Sequence, residues 1–346
     1  MKLSVLDQSP IRIGGTASEA LTETIALARA AERLGYHRYW VAEHHNSNSF
    51  AGSAPEVLIA RLAAETSRIR IGSGGVMLMH YSPLKVAEQF RMLEILAPGR
   101  IDLGIGRAPG ADERTSRALQ AGPQSFGIDA FPSQVHLLGQ LLDDASAGSP
   151  LPADHPYRGI HAMPQGNSRP ELWLLGSGMH SAVYAAEFGL PFAHAHFISP
   201  DGSLEAVEAY RARFKPSVWC AAPRVAMGVS ALAADSAQEA ERLSASRQLW
   251  AVRLFTGRPI AFPSPQEALA YDYDERERAI LQSLEGRSVT GTAAKVRDQL
   301  LDLAARHGAD ELIVVTITYD FAARLRSYEL LAAAFADVNC GARPNA

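Results

Sequence analysis

Residues 39–45, Tyr39-Trp40-Val41-Ala42-Glu43-His44-His45, carry a short apolar strand straight into a carboxylate and two imidazoles. An amphipathic helical pattern precedes the strand. In α/β barrels the functional face is built from the loops that follow the strands, so these three polar side chains fall where chemistry is expected. Histidine also changes protonation near neutral pH without special tuning. Taken alone, the pair fits a solvated loop equally well, and the surrounding pattern has to decide.

Working outward, short apolar runs recur at Leu3–Leu6, Tyr39–Ala42, Ile69–Gly72, Ile101–Leu103, Leu172–Leu175, Phe192–Ala195, Val225–Leu232 and Leu312–Thr316. Most are continuous rather than alternating, as expected of parallel strands covered on both faces. Helical stripes lie between them: Leu21, Ile25, Ala28 and Leu34; Val86, Phe90, Leu93 and Ala97; Val296, Leu300 and Leu303. Gly35, Gly189 and Gly308 stand where helices should stop. Eight such units predict an α/β fold, a (β/α)8 TIM barrel. A doubly wound sheet is the alternative, because strand order is not written in the sequence.

Two gaps are too long for simple crossovers. Residues 105–171, after the fourth strand, hold one helix near 130–145 and the stretch AGSPLPADHPYRG. Residues 256–290, between the seventh and eighth strands, hold RPIAFPSPQ and a charged helix, YDYDERERAILQSLE. Insertions of this length on a barrel usually cap or gate the site. With no internal repeat and no flexible linker, residues 1–346 read as one domain.

Composition narrows the function. The chain is 47% hydrophobic and 20% charged, ordinary for a soluble globular protein. A net charge of -4 leaves no electrostatic footprint for nucleic acid or anionic membrane. Cys220 and Cys340 have neither metal-ligand spacing nor the density of a disulfide scaffold. The start, MKLSVLDQSP, has no apolar signal core, and no run reaches the roughly 18 apolar residues of a membrane span. A cytoplasmic protein is expected.

Four strand ends carry unusual residues. Glu43-His44-His45 follows the second strand, Ser73-Gly74-Gly75-Val76 the third, Gly104-Ile105-Gly106-Arg107 the fourth and Gly176-Ser177-Gly178 the fifth. The last suits a phosphate, since glycines allow close backbone approach and the next helix presents its amides. A tight turn with Ser177 as helix N-cap fits the same spacing. Arg107 suits a phosphate or a flavin carbonyl, or is a surface arginine. Gly74-Gly75 would let a flat ring approach the backbone, or marks a bulge. GIGRAPG has the wrong glycine spacing for a dinucleotide fingerprint. His194-x-His196 is the best metal hint, but it lacks a convincing partner set. No G-x-S-x-G elbow, P-loop or C-x-x-C occurs.

Together, WVAEHHNSNSFAGSAPEVLIA, RIRIGSGGVMLMHYSPLKVAEQFRMLEILAPGRIDLGIGRAPG, LWLLGSGMHSAVYAAEFGLPFAHAHF and VTGTAAKVRDQLLDLAARHGADELIVVT resemble the bacterial luciferase-like monooxygenase family, most nearly its single-chain FMN-dependent members. The resemblance implies a barrel that binds FMN at the carboxyl ends of its strands. By it, His44 matches the histidine that assists oxygen chemistry. Gly74-Gly75 matches a pair joined by a non-prolyl cis peptide beneath the flavin ring. Arg107 matches a basic flavin or phosphate contact, and Gly176, Ser177 and Gly178 match the phosphate turn. Gly106 stands where luciferase has a reactive cysteine, which argues against light emission. The implied activity is a monooxygenase using O2 and reduced FMN, supplied by a separate flavin reductase, on a small organic substrate. Asp7, Gln8, Ser9, His45, His194 and His196 are expected to line the pocket, with no metal. The helices after the second and third strands are expected to pack in a homodimer. The rival readings are an F420-dependent hydride-transfer oxidoreductase, a non-catalytic flavin binder and a metal-dependent hydrolase.

Overall fold

The protein is described from a computed structural model covering residues 1–108, 110, 112–120 and 128–336. Cys340 and part of the 105–171 insertion lie outside the described residues.

Among the described residues nine strands form: β1 (Lys2–Asp7), β2 (Arg38–Val41), β3 (Arg70–Met77), β4 (Ile101–Gly106), β5 (Glu171–Gly176), β6 (Phe192–Ala195), β7 (Val225–Ala234), β8 (Ser288–Thr292) and β9 (Glu311–Val315). Each of β1 to β7 pairs in parallel with its neighbour in sequence, and β9 pairs with both β7 and β1. That last pairing closes an eight-stranded barrel and disposes of the open doubly wound sheet.

β8 is not part of the barrel and was not expected. The ten-residue β7 forks: Ala226–Ser230 pairs with β9, while Ser230–Ala234 continues past the rim to pair with β8. Of the five residues of β8 only Gly291 is fully buried, so it carries no apolar run to announce it.

The helices are α1 (Ala17–Arg33), α2 (Pro55–Glu65), α3 (Pro83–Leu96), α4 (Glu113–Leu119), α5 (Phe131–Ala147), α6 (Met179–Glu187), α7 (Ser203–Arg213), α8 (Ala237–Phe255), α9 (Pro265–Leu269), α10 (Glu275–Ser283), α11 (Ala293–His307) and α12 (Phe321–Ala334). The stripes on α3 and α11 are buried as the spacing predicts. On α1 the buried face is rotated: Ala20, Thr24, Leu27, Ala28 and Ala31 turn inward, and Leu21 and Ile25 flank them. Small residues win the centre because they let the helix approach the sheet. Gly35, Gly189 and Gly308 all take positive φ just past a helix, as a helix stop requires. The 105–171 insertion holds α4 as well as α5. α4 has no buried residue, so no stripe betrays it; Asp112 starts it by accepting from the Thr115 amide.

Side chains alternate along each strand. One set, including Val5, Tyr39, Ile71, Leu103, Leu174, Met227 and Val314, packs against the helices. The other set, Leu6, Trp40, Trp173, Ala193, Ala226 and Ile313, fills the barrel. At the amino-terminal rim Arg38 reaches Asp102 (2.6 Å), Glu311 (2.7 Å) and Glu171 (3.1 Å). Arg70 pairs with Asp102 and Arg224 with Glu171. Three cations thus face three carboxylates, and this polar plug closes the end of the barrel opposite the strand-end turns.

Candidate active site

β3 and β4 meet over a stretch that only glycine can build. A Cβ on Gly104 would sit 2.2 Å from the Ser73 carbonyl oxygen. One on Gly74 would sit 2.7 Å from Leu6 Cδ1, and one on Gly75 2.7 Å from the Gly104 carbonyl oxygen. The Gly74-Gly75 peptide is cis. Ser73, Gly74, Gly75 and Val76 lie within β3, and Gly104 to Gly106 within β4, so of these two motifs only Arg107 follows a strand.

This glycine surface is one wall of a cavity of about 400 Å³ at the carboxyl ends of the strands. Arg107, Gly176, Ser177, Gly178 and His194 line it too. Ser177 is not the cap of α6. The N-cap is Gly178, in extended conformation (φ -165°), and no side chain caps the helix. The first amides of a nine-residue helix therefore start beside the cavity without a side-chain acceptor. Arg107, half-buried, makes no ion pair or hydrogen bond among the described residues. A glycine floor, a free helix start and an uncompensated guanidinium make one anion-binding end and one flat-ring end.

A second cavity, about 500 Å³, adjoins the first; Phe197 and Ile198 line both. Gln8, His44 and His45 lie on its wall. His44 stacks on Phe50 with centroids 4.4 Å apart. Burial, and then the neighbouring His45, push His44 down to about 4, so its imidazole is neutral at pH 7. Its buried Nδ1 has no hydrogen-bond partner among the described residues. His194 is likewise held below its ordinary range, chiefly by burial; Nε2 lies 3.2 Å from the Ser199 carbonyl oxygen, and the buried Nδ1 has no partner among the described residues. Buried polar atoms without partners at a cavity wall suit a ligand that supplies the missing contact.

His45 is held differently. Its Nε2 is 2.7 Å from Glu43 Oε1, and the same carboxylate accepts from the Tyr81 hydroxyl (2.6 Å) and the Met77 amide (3.0 Å). Glu43 is fully buried. It ties the turn after β2 to β3 and fixes the backbone that presents His44.

Three expected lining residues are elsewhere. Asp7 is fully buried and binds Arg324 (2.5 Å), the Tyr39 hydroxyl (2.5 Å) and the Ser9 amide (2.7 Å). Ser9 is buried too and faces Thr24, at 2.9 Å between hydroxyls. Both belong to the joint between the barrel and α1 and α12, because a strand-end carboxylate with an arginine opposite lowers its energy more by pairing than by facing a cavity. His196 lies just past β6 and turns to Ser203 (3.2 Å), with the His307 ring 5.7 Å away. Of the two, only His194 lines the first cavity. Among the described residues no group of three or more His, Cys, Asp or Glu is placed to hold a metal ion.

The sequence reading missed Tyr81 as a partner of Glu43, although it stands in MHYSP just past β3. It also missed Trp250, Arg247 and Arg287 on the second cavity. Those three sit on α8 and beyond α10, and nothing in the local pattern points a helix residue at a site.

A family model for luciferase-like monooxygenases matches residues 1–311. The chain is 43% identical to a luciferase-like monooxygenase of Escherichia coli strain K12, covering 94% of this chain and 95% of that one. It is 38% identical to the N-acetyl-S-alkylcysteine monooxygenase of Bacillus subtilis strain 168, covering 96% and 97%. Among solved structures, apo-MsnO8 superposes with a TM-score of 0.89 at 44% identity, covering 97% and 98%. Two distant structures share the fold alone. The oxygenating constituent of 3,6-diketocamphane monooxygenase from Pseudomonas putida is in complex with FMN (TM-score 0.67, 19% identity, 96% of both chains). An F420-dependent secondary alcohol dehydrogenase is in complex with an F420-acetone adduct (0.69, 15%, 96% and 98%).

Proposed function

The chain belongs to the luciferase-like monooxygenase family, and on that premise we propose that it uses reduced FMN and O2 to place one oxygen atom in a small organic substrate. The observation that carries the reading is a single cavity with a floor free of side chains at one end and, at the other, an uncapped helix start beside an unpaired arginine. Arg107, Ser177 and the first amides of α6 would hold the phosphate, and Gly74-Gly75 would lie under the ring. Bound there, reduced flavin supplies the two electrons that activate O2.

The protein's own part is positioning and proton handling. Leu6 and Trp40 give the ring cavity an apolar wall and exclude water. His44, neutral at pH 7, has one ring nitrogen to accept a proton and one to donate. It serves at the substrate or the reacting oxygen from the wall of the second cavity, and Glu43, through the fixed turn, sets its place. The flavin arrives already reduced by a separate reductase. Val57 on α2 and Met92 and Leu96 on α3 are exposed apolar side chains that support a homodimer through these helices. Among the described residues no helix is long and apolar enough to cross a membrane, and the cytoplasm is the proposed location.

The test is anaerobic equilibrium dialysis against reduced FMN and, separately, reduced F420, followed by admission of O2 while oxygen uptake is recorded. FMN binding with uptake that rises on adding substrate supports the proposal. Retention of F420 with exclusion of FMN would replace it with hydride transfer, and FMN binding with uptake that no substrate stimulates would leave a passive flavin carrier. His44→Ala should bind flavin normally and lose at least tenfold in turnover; unchanged turnover removes the assigned role.

A further inference from the structure

The second cavity is walled mostly by apolar groups: Phe50, Trp250, Leu254, Phe255, Val315 and Ile317. Trp250 is fixed there, stacked on Phe262 at 4.8 Å and donating its indole N–H to Ser49 Oγ at 3.0 Å. Such a wall selects an apolar body. Yet two arginines, Arg247 and Arg287, line the same cavity.

Neither arginine is neutralised. Arg247 makes no ion pair or hydrogen bond among the described residues. Among the described residues Arg287 donates only to carbonyl oxygens, of Ile198 (3.1 Å) and Ser283 (3.3 Å). Loss of hydration, then repulsion from Arg287, pulls Arg247 down to about 10, still charged at pH 7. The carboxylate on the cavity wall, Asp112, is occupied by the Thr115 amide and hydroxyl at 2.9 and 2.7 Å and by Asn46 at 3.4 Å. Arg247 also borders a polar recess with Glu241, Glu285 and Lys295, none of which pairs with it within 4 Å. Two like charges held together at an apolar wall raise the energy of the empty protein, and an anion between them relieves it.

We propose that the substrate is an amphipathic carboxylate, its carboxylate between Arg247 and Arg287 and its apolar body along Phe50, Trp250 and Leu254. The assignment rests on the monooxygenase reading for its chemistry, but it concerns recognition and is tested by binding alone. Arg287 stands beside the border with the first cavity, formed by Phe197 and Ile198, through its bond to the Ile198 carbonyl oxygen, so the carboxylate end lies near where an oxygen atom would be delivered.

The probes are N-acetyl-S-butylcysteine and its primary amide, identical in body and different by one charge. Titration calorimetry on the flavin-free protein should show the acid binding at least tenfold tighter than the amide. Arg247→Gln and Arg287→Gln should each weaken the acid about tenfold and leave the amide within twofold, and Arg247→Lys should restore part of the preference. Equal binding of acid and amide, binding of neither, or parallel loss of both in the glutamine variants overturns the assignment. Reduced FMN is titrated into the same proteins. If Arg247→Gln loses FMN rather than the acid, the arginines serve the cofactor and the assignment falls. If the wild-type protein prefers the acid yet binds no FMN, the monooxygenase reading fails while carboxylate recognition stands.

Discussion

Replacing Arg107 with glutamine isolates the phosphate end of the first cavity. Arg107 has no partner among the described residues, so its removal breaks no contact within them and should leave the thermal midpoint within a degree or two. A hydrogen bond to a charged group contributes roughly 1.5–3 kcal/mol, or about 10- to 150-fold in Kd. The proper control is riboflavin, which has the same ring and no phosphate. In the wild-type protein reduced FMN should bind much more tightly than reduced riboflavin. In Arg107→Gln the FMN affinity should fall by that factor while riboflavin stays within twofold, so the ratio of the two constants reports the phosphate contact alone. Ser177→Ala should shrink the same ratio by less, since a neutral hydroxyl contributes about 0.5–1.5 kcal/mol. The measurement is anaerobic fluorescence or dialysis titration at one fixed ionic strength. If both ligands weaken together, Arg107 touches the ring and not the phosphate; if neither changes, it touches no flavin and the proposed orientation is wrong.

Three further outcomes are expected. Gly104→Ala should destabilise the protein by about 1–3 kcal/mol or more, because its Cβ would fall 2.2 Å from a backbone oxygen that cannot move aside, whereas Gly106→Ala, with nothing within 4 Å, should lie within about 0.5 kcal/mol in urea melts; equal effects would refute the packing argument. Arg324→Met should cost about 3–5 kcal/mol at pH 7 by stranding the buried Asp7 carboxylate, and adding Asp7→Asn should recover part of that; no recovery would mean the loss is of packing and not of charge. His44 is depressed from 6.5 to about 4 in the folded protein, so the unfolded chain takes up its proton first on acidification. Stability from this group is complete above about pH 6.5 and is lost as pH falls toward 4, by up to about 3 kcal/mol. His44→Phe should therefore show a shallower acid decline than the wild type between those limits, and parallel curves would show that His44 titrates normally.

The barrel was legible because its strands are buried on both faces, so most appear as an apolar run such as Tyr39–Ala42 or Leu172–Leu175 whatever surrounds them. Elements with only one dry face, or none, escaped: β8 is mostly half-exposed, and α4 has no buried residue at all. Of the stripe Leu21, Ile25, Ala28 and Leu34 expected on α1, only Ala28 is fully buried, and close packing on the sheet adds Ala20, Leu27 and Ala31. Gly74, Gly75 and Gly176 stood out in the sequence because close packing there leaves no room for a Cβ, a constraint that leaves its mark locally.

The partners of charged side chains leave no such mark. Asp7 ends a strand at the same rim where His44 stands, and only the fold reveals that Arg324, 317 positions away, claims it. His196 lies two residues from His194 yet bonds to Ser203 of α7, and Arg247 and Arg287 meet at one cavity from opposite ends of an insertion. Sequence by itself determined where the eight barrel strands lie along the chain, the glycine surfaces and the turn that presents His44, since each depends on residues within one turn or strand of each other. Tertiary structure decided which polar groups are neutralised and which remain open to a ligand, because electrostatic energy depends on distance in space, and closing the barrel brings together residues that the chain holds hundreds of positions apart.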